Sequence, residues 1–369
     1  MNTSNRLVAL DVLRGITISF MILVNTPGSW SYVYSPLRHA DWHGCTPTDL
    51  VFPFFLFIVG VSVWFSFSKY NSKVSKGLVL KVIRRAVIIF LLGLFLNLFP
   101  FFDVENVRIY GVLQRIAIAY GVAAILCLAF SKQTLIYVLC GILLGYWGLL
   151  YFGAETNPYT LQDNVVRAFD LFLVGENHIY KGFGIPFDPE GLLSAIPAIG
   201  TVILGYLIGG VVSEHESLLF KIRKLCLLGF VLVLMGVAWN FVFPINKALW
   251  TSSYVLYTAG LAILLLAALL LIIDYKGYGK WFKPFVHFGT NPLFIFVFSG
   301  LYVKTISYLI QVPAGAHGEK ISGYKYLYEH IFADFAGNMN GSLLFALVHI
   351  ILFWFICFVL YKNKIFVKI

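Results

Sequence analysis

The sequence predicts an all-α membrane protein, a polytopic bundle of about ten transmembrane helices with both termini cytoplasmic. Three observations point there. Hydrophobic residues fill 60% of the 369 positions and charged residues only 12%, which leaves too little polar surface to coat a soluble globule. Apolar stretches near the ~20 residues that cross a bilayer recur along the whole chain. The charges are also sorted by loop, basic on one side and acidic on the other.

In chain order the spans are expected at roughly 16–33, 50–68, 86–102, 112–130, 134–152, 191–211, 225–243, 253–273, 287–310 and 342–361. A secretory signal would give one apolar stretch ahead of a polar domain, so no cleaved leader is expected. With the N-terminus inside, the inner segments hold Arg6, Arg14, Lys69, Lys73, Lys76, Lys81, Arg84, Arg85, Lys132, Lys221, Arg223, Lys224, Lys276, Lys280, Lys283, Lys362, Lys364 and Lys368, most of the 27 basic residues. The outer segments take Asp41, Asp49, Asp103, Glu105, Glu155, Asp163, Asp170, Glu176, Asp188 and Glu190. Basic loops resist translocation, so this asymmetry sets the orientation.

The formal charge of +10 thus has a topological origin. Its cations are dispersed over many loops and form no interleaved patch, which argues against a nucleic-acid partner. Four of the five cysteines, Cys127, Cys140, Cys226 and Cys357, sit in apolar spans and Cys45 lies alone in an outer loop, so no disulfide framework is expected. No repeat or low-complexity tract divides the chain. It reads as one domain over 1–369, with outer loops at about 34–49, 153–190 and 311–341 whose aromatic, Asn, Gly and acidic content suits a polar, sugar-like ligand.

The first span and its following loop carry the densest polar signal. Asn25 lies about 15 Å deeper than Gly15 at the helical rise, and Pro27-Gly28 should break the helix beside it. Irregular backbone at membrane depth is tolerated where it is buried in protein or lines a cavity, so Asn25 is expected to face a polar cavity or to bond a neighbouring helix. His39 and His43 share the spacing of a helical zinc pair, but Pro36 and Gly44 flank them and no third ligand follows, so no metal is expected. An imidazole beside Arg38, Asp41 and Trp42 suits acid/base work near neutral pH. Thr46-Pro47-Thr48-Asp49 reads as a helix start, and Asp188 can cap the sixth span.

Polar residues inside later spans are costly and point to a cavity. Gln114-Arg115 is the clearest case. Arg14, Arg84 and Arg85 sit at inner helix ends, placed either to snorkel to headgroups or to hold donor phosphates. Asn246 to Tyr254, with Trp250 and Ser253, opens the eighth span; Gly289-Thr290-Asn291-Pro292 opens or breaks the ninth.

The order and spacing of these segments resemble the heparan-alpha-glucosaminide N-acetyltransferase family and its bacterial relatives. The resemblance runs through Leu10-Asp11-Val12-Leu13-Arg14-Gly15, Leu23-Val24-Asn25, Arg38 to Gly44, Thr48 to Pro53, Gly111 to Arg115, Phe187-Asp188-Pro189-Glu190-Gly191, Pro244 to Lys247 with Leu249 to Tyr254, and Asn291-Pro292. It implies an integral membrane N-acetyltransferase that moves an acetyl group from cytoplasmic acetyl-CoA to the amine of a glucosamine-type sugar at the outer face. The family's loop His, followed by Ala-x-Trp, matches His39. Two departures stand out: the animal enzyme's large lumenal domain before the first span is not present, and His43 stands where the animal pattern has Asn.

On that reading His39 is general base or transient acetyl acceptor, and Asn25 steadies the thioester oxygen. Arg14, Arg84 and Arg85 neutralise donor phosphates, while Arg115, Trp250, Ser253 and Asn291 line the donor passage. Trp42, Asp188 and Glu190 meet the acceptor sugar or glycan. The implied setting is a bacterial inner membrane, with lipid as solvent and a homodimer kept open. An O-acyltransferase of exported polysaccharide and a secondary transporter or flippase are the alternatives.

Overall fold

The computed structural model describes residues 7–68, 75–313 and 319–367. Its long elements are α1 (Val8–Asn25), α2 (Val51–Phe67), α3 (Lys76–Leu98), α4 (Val112–Ala129), α5 (Lys132–Gly153), the short α6 (Val165–Val174), α7 (Ala195–Ser213), α8 (Leu218–Trp239), α9 (Ser252–Leu269), α10 (Lys283–Thr290), α11 (Pro292–Lys304) and α12 (Asn338–Lys362). Local chemistry sets many of the boundaries. Ser75, Ser131, Asn164 and Ser217 each accept a backbone N–H at the start of α3, α5, α6 and α8, the usual N-cap arrangement. Gly175, at φ 73°, ends α6.

Eight helices among the described residues are long and apolar enough to cross a membrane by length and composition. Helices also stand where the third and seventh spans were expected, at Lys76–Leu98 and Leu218–Trp239, but each carries several cations in its first three turns and neither is among the eight. The expected first span, 16–33, is corrected to Val8–Asn25: the chain leaves the helix before Pro27-Gly28 and runs irregularly to Thr46. The expected ninth span is broken at Asn291 into α10 and α11, the latter prolonged by a wide turn to Leu309. Pro292 lacks the N–H that would continue the first segment. Arg6, Lys69, Lys73 and Lys368 of the basic set lie outside the described residues.

The packing is layered. Most of α7 is buried, and it contacts α2, α4, α5 and α9. By contrast α3, α5, α8 and α12 present large exposed apolar side chains, such as Leu91, Leu144, Phe230 and Phe355. An apolar exterior around a packed interior is what lipid selects. The helices approach closely through glycine. A Cβ on Gly15 would sit 1.8 Å from the Phe285 carbonyl oxygen, and one on Gly289 would sit 2.2 Å from that of Asp11; α1 and α10 therefore cross backbone to backbone.

Alternation of the helices gathers the connecting segments at two ends. At one end Trp42 Nε1 donates to the Tyr159 carbonyl at 2.7 Å, Gly44 N to Ile245 O at 2.7 Å, and Ile109 N to His178 O at 3.0 Å. At the other, Ala9 N donates to Asp274 at 3.2 Å and Trp64 Nε1 to Ser213 Oγ at 2.8 Å. Both ends of the described chain lie at this second end, because Asn291 Nδ2 donates to Ile365 O at 3.0 Å and Val367 N donates to Asn291 Oδ1 at 2.8 Å.

Candidate active site

Asp49 organises the first end. It closes the turn Pro47–Leu50 ahead of α2 in a capping box with Thr46. Its Oδ2 accepts the backbone N–H of Thr46 and of Ala40, each at 3.0 Å. Its Oδ1 lies 2.6 Å from His39 Nδ1, and the side chain is 1% exposed. One carboxylate thus starts a helix, pins the preceding loop and orients an imidazole.

The 2.6 Å contact assigns the tautomer. Two acceptor lone pairs would repel at that distance, so Nδ1 carries the proton and donates it to Asp49. His39 Nε2 then keeps its lone pair, and the side chain, 46% exposed, borders a cavity of about 450 Å³. A base fixed by a third group is the usual geometry for proton abstraction or nucleophilic attack.

Lys247 completes the cluster. Its Nζ lies 3.4 Å from Asp49 Oδ1 and 3.0 and 3.4 Å from the two ring nitrogens of His39. Burial pushes this ammonium below the ordinary lysine range, against the pull of the Asp49 and Glu190 carboxylates. The loop that carries it is fastened to the His39 loop: Asn246 Nδ2 donates to Trp42 O at 2.9 Å and approaches His43 Nδ1 at 3.3 Å.

The cavity has a polar mouth and an apolar shaft. Asn25, His39, Asp41, Trp42, Asp49, Arg108, Tyr180, Glu190 and Lys247 line the mouth; Ile18, Met21, Val51, Phe55, Ile116, Leu293 and Phe296 line the shaft, with Thr17 among them. Asn25 ends α1 and its side chain makes no hydrogen bond to any described residue, which leaves the amide available to a ligand. Arg108 forms one wall. It donates from Nε and Nη2 to Asp188 at 2.9 and 2.6 Å, pairs with Glu190, and lies over the Tyr180 ring at 4.5 Å. Burial works against its charge, but the two carboxylates outweigh it and hold the guanidinium above the ordinary range.

The expected site residues separate into two groups. His39, Asn25, Trp42 and Glu190 meet around the cavity. Asp188 is buried behind Arg108 and is not among the lining residues. Arg115 is fully buried, donates to Gly191 O at 3.2 Å and to Ser194, and lies 5.0 Å over Trp250, with Nε and Nη1 unpartnered. Trp250 bonds Thr201 Oγ1 at 3.2 Å and Ser253 bonds Phe243 O at 2.6 Å; Asn291 holds the tail as described. None of these four lines the cavity. Arg14 donates to Gly289 O at 3.1 Å and Ser62 Oγ at 2.9 Å, one helical turn before Thr17, while Arg84 and Arg85 are exposed on α3, Arg85 over Tyr120.

Arg108 and Lys247 are site residues that the sequence does not announce. Both are cations at the acid-rich end, but Arg38, Arg167 and Lys181 share that exception to the charge sorting, so sequence alone does not single them out. Asp170 was also passed over: it accepts Leu192 N and Leu193 N at 3.0 and 3.3 Å, and burial, opposed by those bonds and by Arg115, pushes its carboxyl up to about 7.

Membrane-length helices with an apolar exterior define a multi-pass membrane protein, and an oriented imidazole borders its cavity. Residues 6–241 match the family described as heparan-alpha-glucosaminide N-acetyltransferase, catalytic. The human heparan-alpha-glucosaminide N-acetyltransferase is 30% identical over 351 residues, covering 79% of this chain and 52% of that protein. The mouse protein of the same name is 27% identical over 427 residues, covering 100% of this chain and 61% of its own. The chain belongs to the heparan-alpha-glucosaminide N-acetyltransferase catalytic family. It spans between half and two thirds of the length of these curated relatives.

Proposed function

We propose that this protein is a membrane acetyltransferase that takes the acetyl group of acetyl-CoA and delivers it at the His39 end of the cavity to the amine of a glucosamine-type sugar. The observation that carries the reading is the Asp49–His39 pair, with His39 lining the cavity, in a chain of this family. The donor enters from the end that holds Arg14, Arg84 and Arg85, which we read as cytoplasmic, and its pantetheine arm follows the apolar shaft. The bilayer is that of a bacterial inner membrane.

His39 Nε2 takes a proton from the acceptor amine as its nitrogen bonds the thioester carbon. The carbonyl oxygen gains charge beside the Asn25 amide, whose N–H groups no described residue engages and which can donate to it. The carbon–sulfur bond then breaks, and His39 returns its proton to the departing thiolate. Asp49 keeps the imidazole in the required tautomer throughout. Trp42 offers an aromatic face to the sugar ring, its Nε1 held by Tyr159 O, and Glu190 gives the acceptor's hydroxyls a carboxylate.

The test is transfer of labelled acetyl from acetyl-CoA to glucosamine by purified protein in detergent or nanodiscs, with and without chelator. His39→Ala should lower turnover on the order of 10²-fold or more while acetyl-CoA still binds. Asn25→Ala should lower turnover with little change in donor affinity, and His43→Ala should keep a measurable fraction. Full activity in His39→Ala would overturn the assignment.

A further inference from the structure

A buried carboxylate 2.6 Å from an imidazole raises a difficulty for a base. Alone, Asp49 would draw a second proton onto His39 and leave imidazolium, which accepts nothing. The cluster contains a cation at the right place to prevent this. Lys247 Nζ is 3.4 Å from the same Asp49 oxygen and lies along the His39 ring. Its side chain is 21% exposed, so water screens the pair only in part. The position is also enforced, because Gly44 N bonds Ile245 O at 2.7 Å and Asn246 bonds Trp42 O at 2.9 Å, tying two residues that follow His39 in its loop to the two residues before Lys247.

Resting on the proposed reaction, we infer that Lys247 is a positioning residue for His39: its ammonium offsets the Asp49 charge, so that Nε2 meets the acceptor unprotonated and afterwards gives up the captured proton. The other charged or titratable groups near the ring are Arg38, Asp41, His43 and Cys45 in its own loop, and Arg108, Tyr180 and Glu190 across the cavity. Arg108 and Glu190 are paired with one another. Lys247 is the cation in direct contact with the ring. It acts on both halves of the proton cycle, since the repulsion that keeps the resting imidazole neutral also drives the imidazolium to protonate the leaving thiolate.

Two measurements on the full-length protein test this, with Lys247→Met, Lys247→Gln and Lys247→Arg. The first is site-resolved diethyl pyrocarbonate modification of His39 against pH, read by mass spectrometry; the reagent takes neutral imidazole and needs no turnover. The midpoint for His39 should move up by about one pH unit or more in the Met and Gln variants and stay near wild type in Lys247→Arg, which keeps the charge. The second is kcat/KM for acetyl transfer against pH. Its acidic limb should move the same way, so that the neutral variants lose roughly tenfold at pH 7 and regain much of it at higher pH. Neutral variants that bind acetyl-CoA normally yet leave the modification midpoint unmoved would overturn the proposal. So would a Lys247→Arg midpoint shifted as far as that of Lys247→Met. Absence of transfer to glucosamine in the wild type would sink the proposed function, and the modification measurement would still decide the role of Lys247.

Discussion

Replacing Asp49 with asparagine changes one atom and, by the geometry described, reverses the tautomer of His39. The Oδ2 position accepts two backbone N–H groups, from Ala40 and Thr46, each at 3.0 Å. In Asp49→Asn the amide oxygen must take that position, since an NH₂ there would face two donors. The NH₂ is then turned to His39 Nδ1, 2.6 Å away in the native protein, and donates to it. Nδ1 becomes the acceptor and Nε2 carries the proton, so Nε2 is no longer a base. A misplaced tautomer costs about 10²- to 10⁴-fold in turnover, or about 3 to 5 kcal/mol on the barrier. The assay is acetyl transfer to glucosamine beside acetyl-CoA affinity in the same preparation. Affinity should hold and kcat should fall. An Asp49→Asn protein that turns over within threefold of wild type would refute the tautomer argument and the role of the pair.

Arg108→Met should lower the melting temperature in detergent by an amount equivalent to about 3 kcal/mol, because fully buried Asp188 loses its cation; an unchanged melt would show the clamp to be dispensable. Asp170 tests linkage. Its folded-state pKa is raised to about 7 from 3.8, so the native protein holds the proton more tightly, and stability falls as pH rises from about 4 to about 7 and is flat above. Asp170→Asn should therefore melt higher than wild type at pH 8, by up to about 4 kcal/mol, with the gap closing toward pH 4; a gap independent of pH would refute it. Arg84→Ala with Arg85→Ala should weaken acetyl-CoA binding, more at low salt, and equal affinity would assign both to lipid headgroups.

Much of the fold was legible because lipid imposes a simple rule, an apolar run long enough to cross. That rule placed residues 112–130 and 253–273 close to the observed helices. It misplaced the first span because Trp30, Tyr32 and Val33 prolong the apolar run past a break made by Pro27 and Gly28, and hydropathy does not register backbone geometry. At the site, His39, Asn25, Trp42 and Glu190 could be picked out from outer loops and the end of α1. The partners that give His39 its chemistry could not. Asp49 can be read from sequence as part of the helix start, its role otherwise open, and its oxygen turned to His39 has no sequence signature. Lys247 lies 208 residues from His39, a distance that only the fold closes.

The break at Asn291 is clamped from afar. The side chain pairs on both edges with backbone of residues 365 and 367, so the hinge between α10 and α11 is held by chain made after all the long helices. A ribosome emits that clamp after α1 to α12. Both α1 and α10 are made before it, and the Asn291 contacts close only once residues 365 and 367 have been added. Tags or truncations at this end would therefore bear on how the ninth crossing is assembled, although they lie at the opposite end of the molecule from His39.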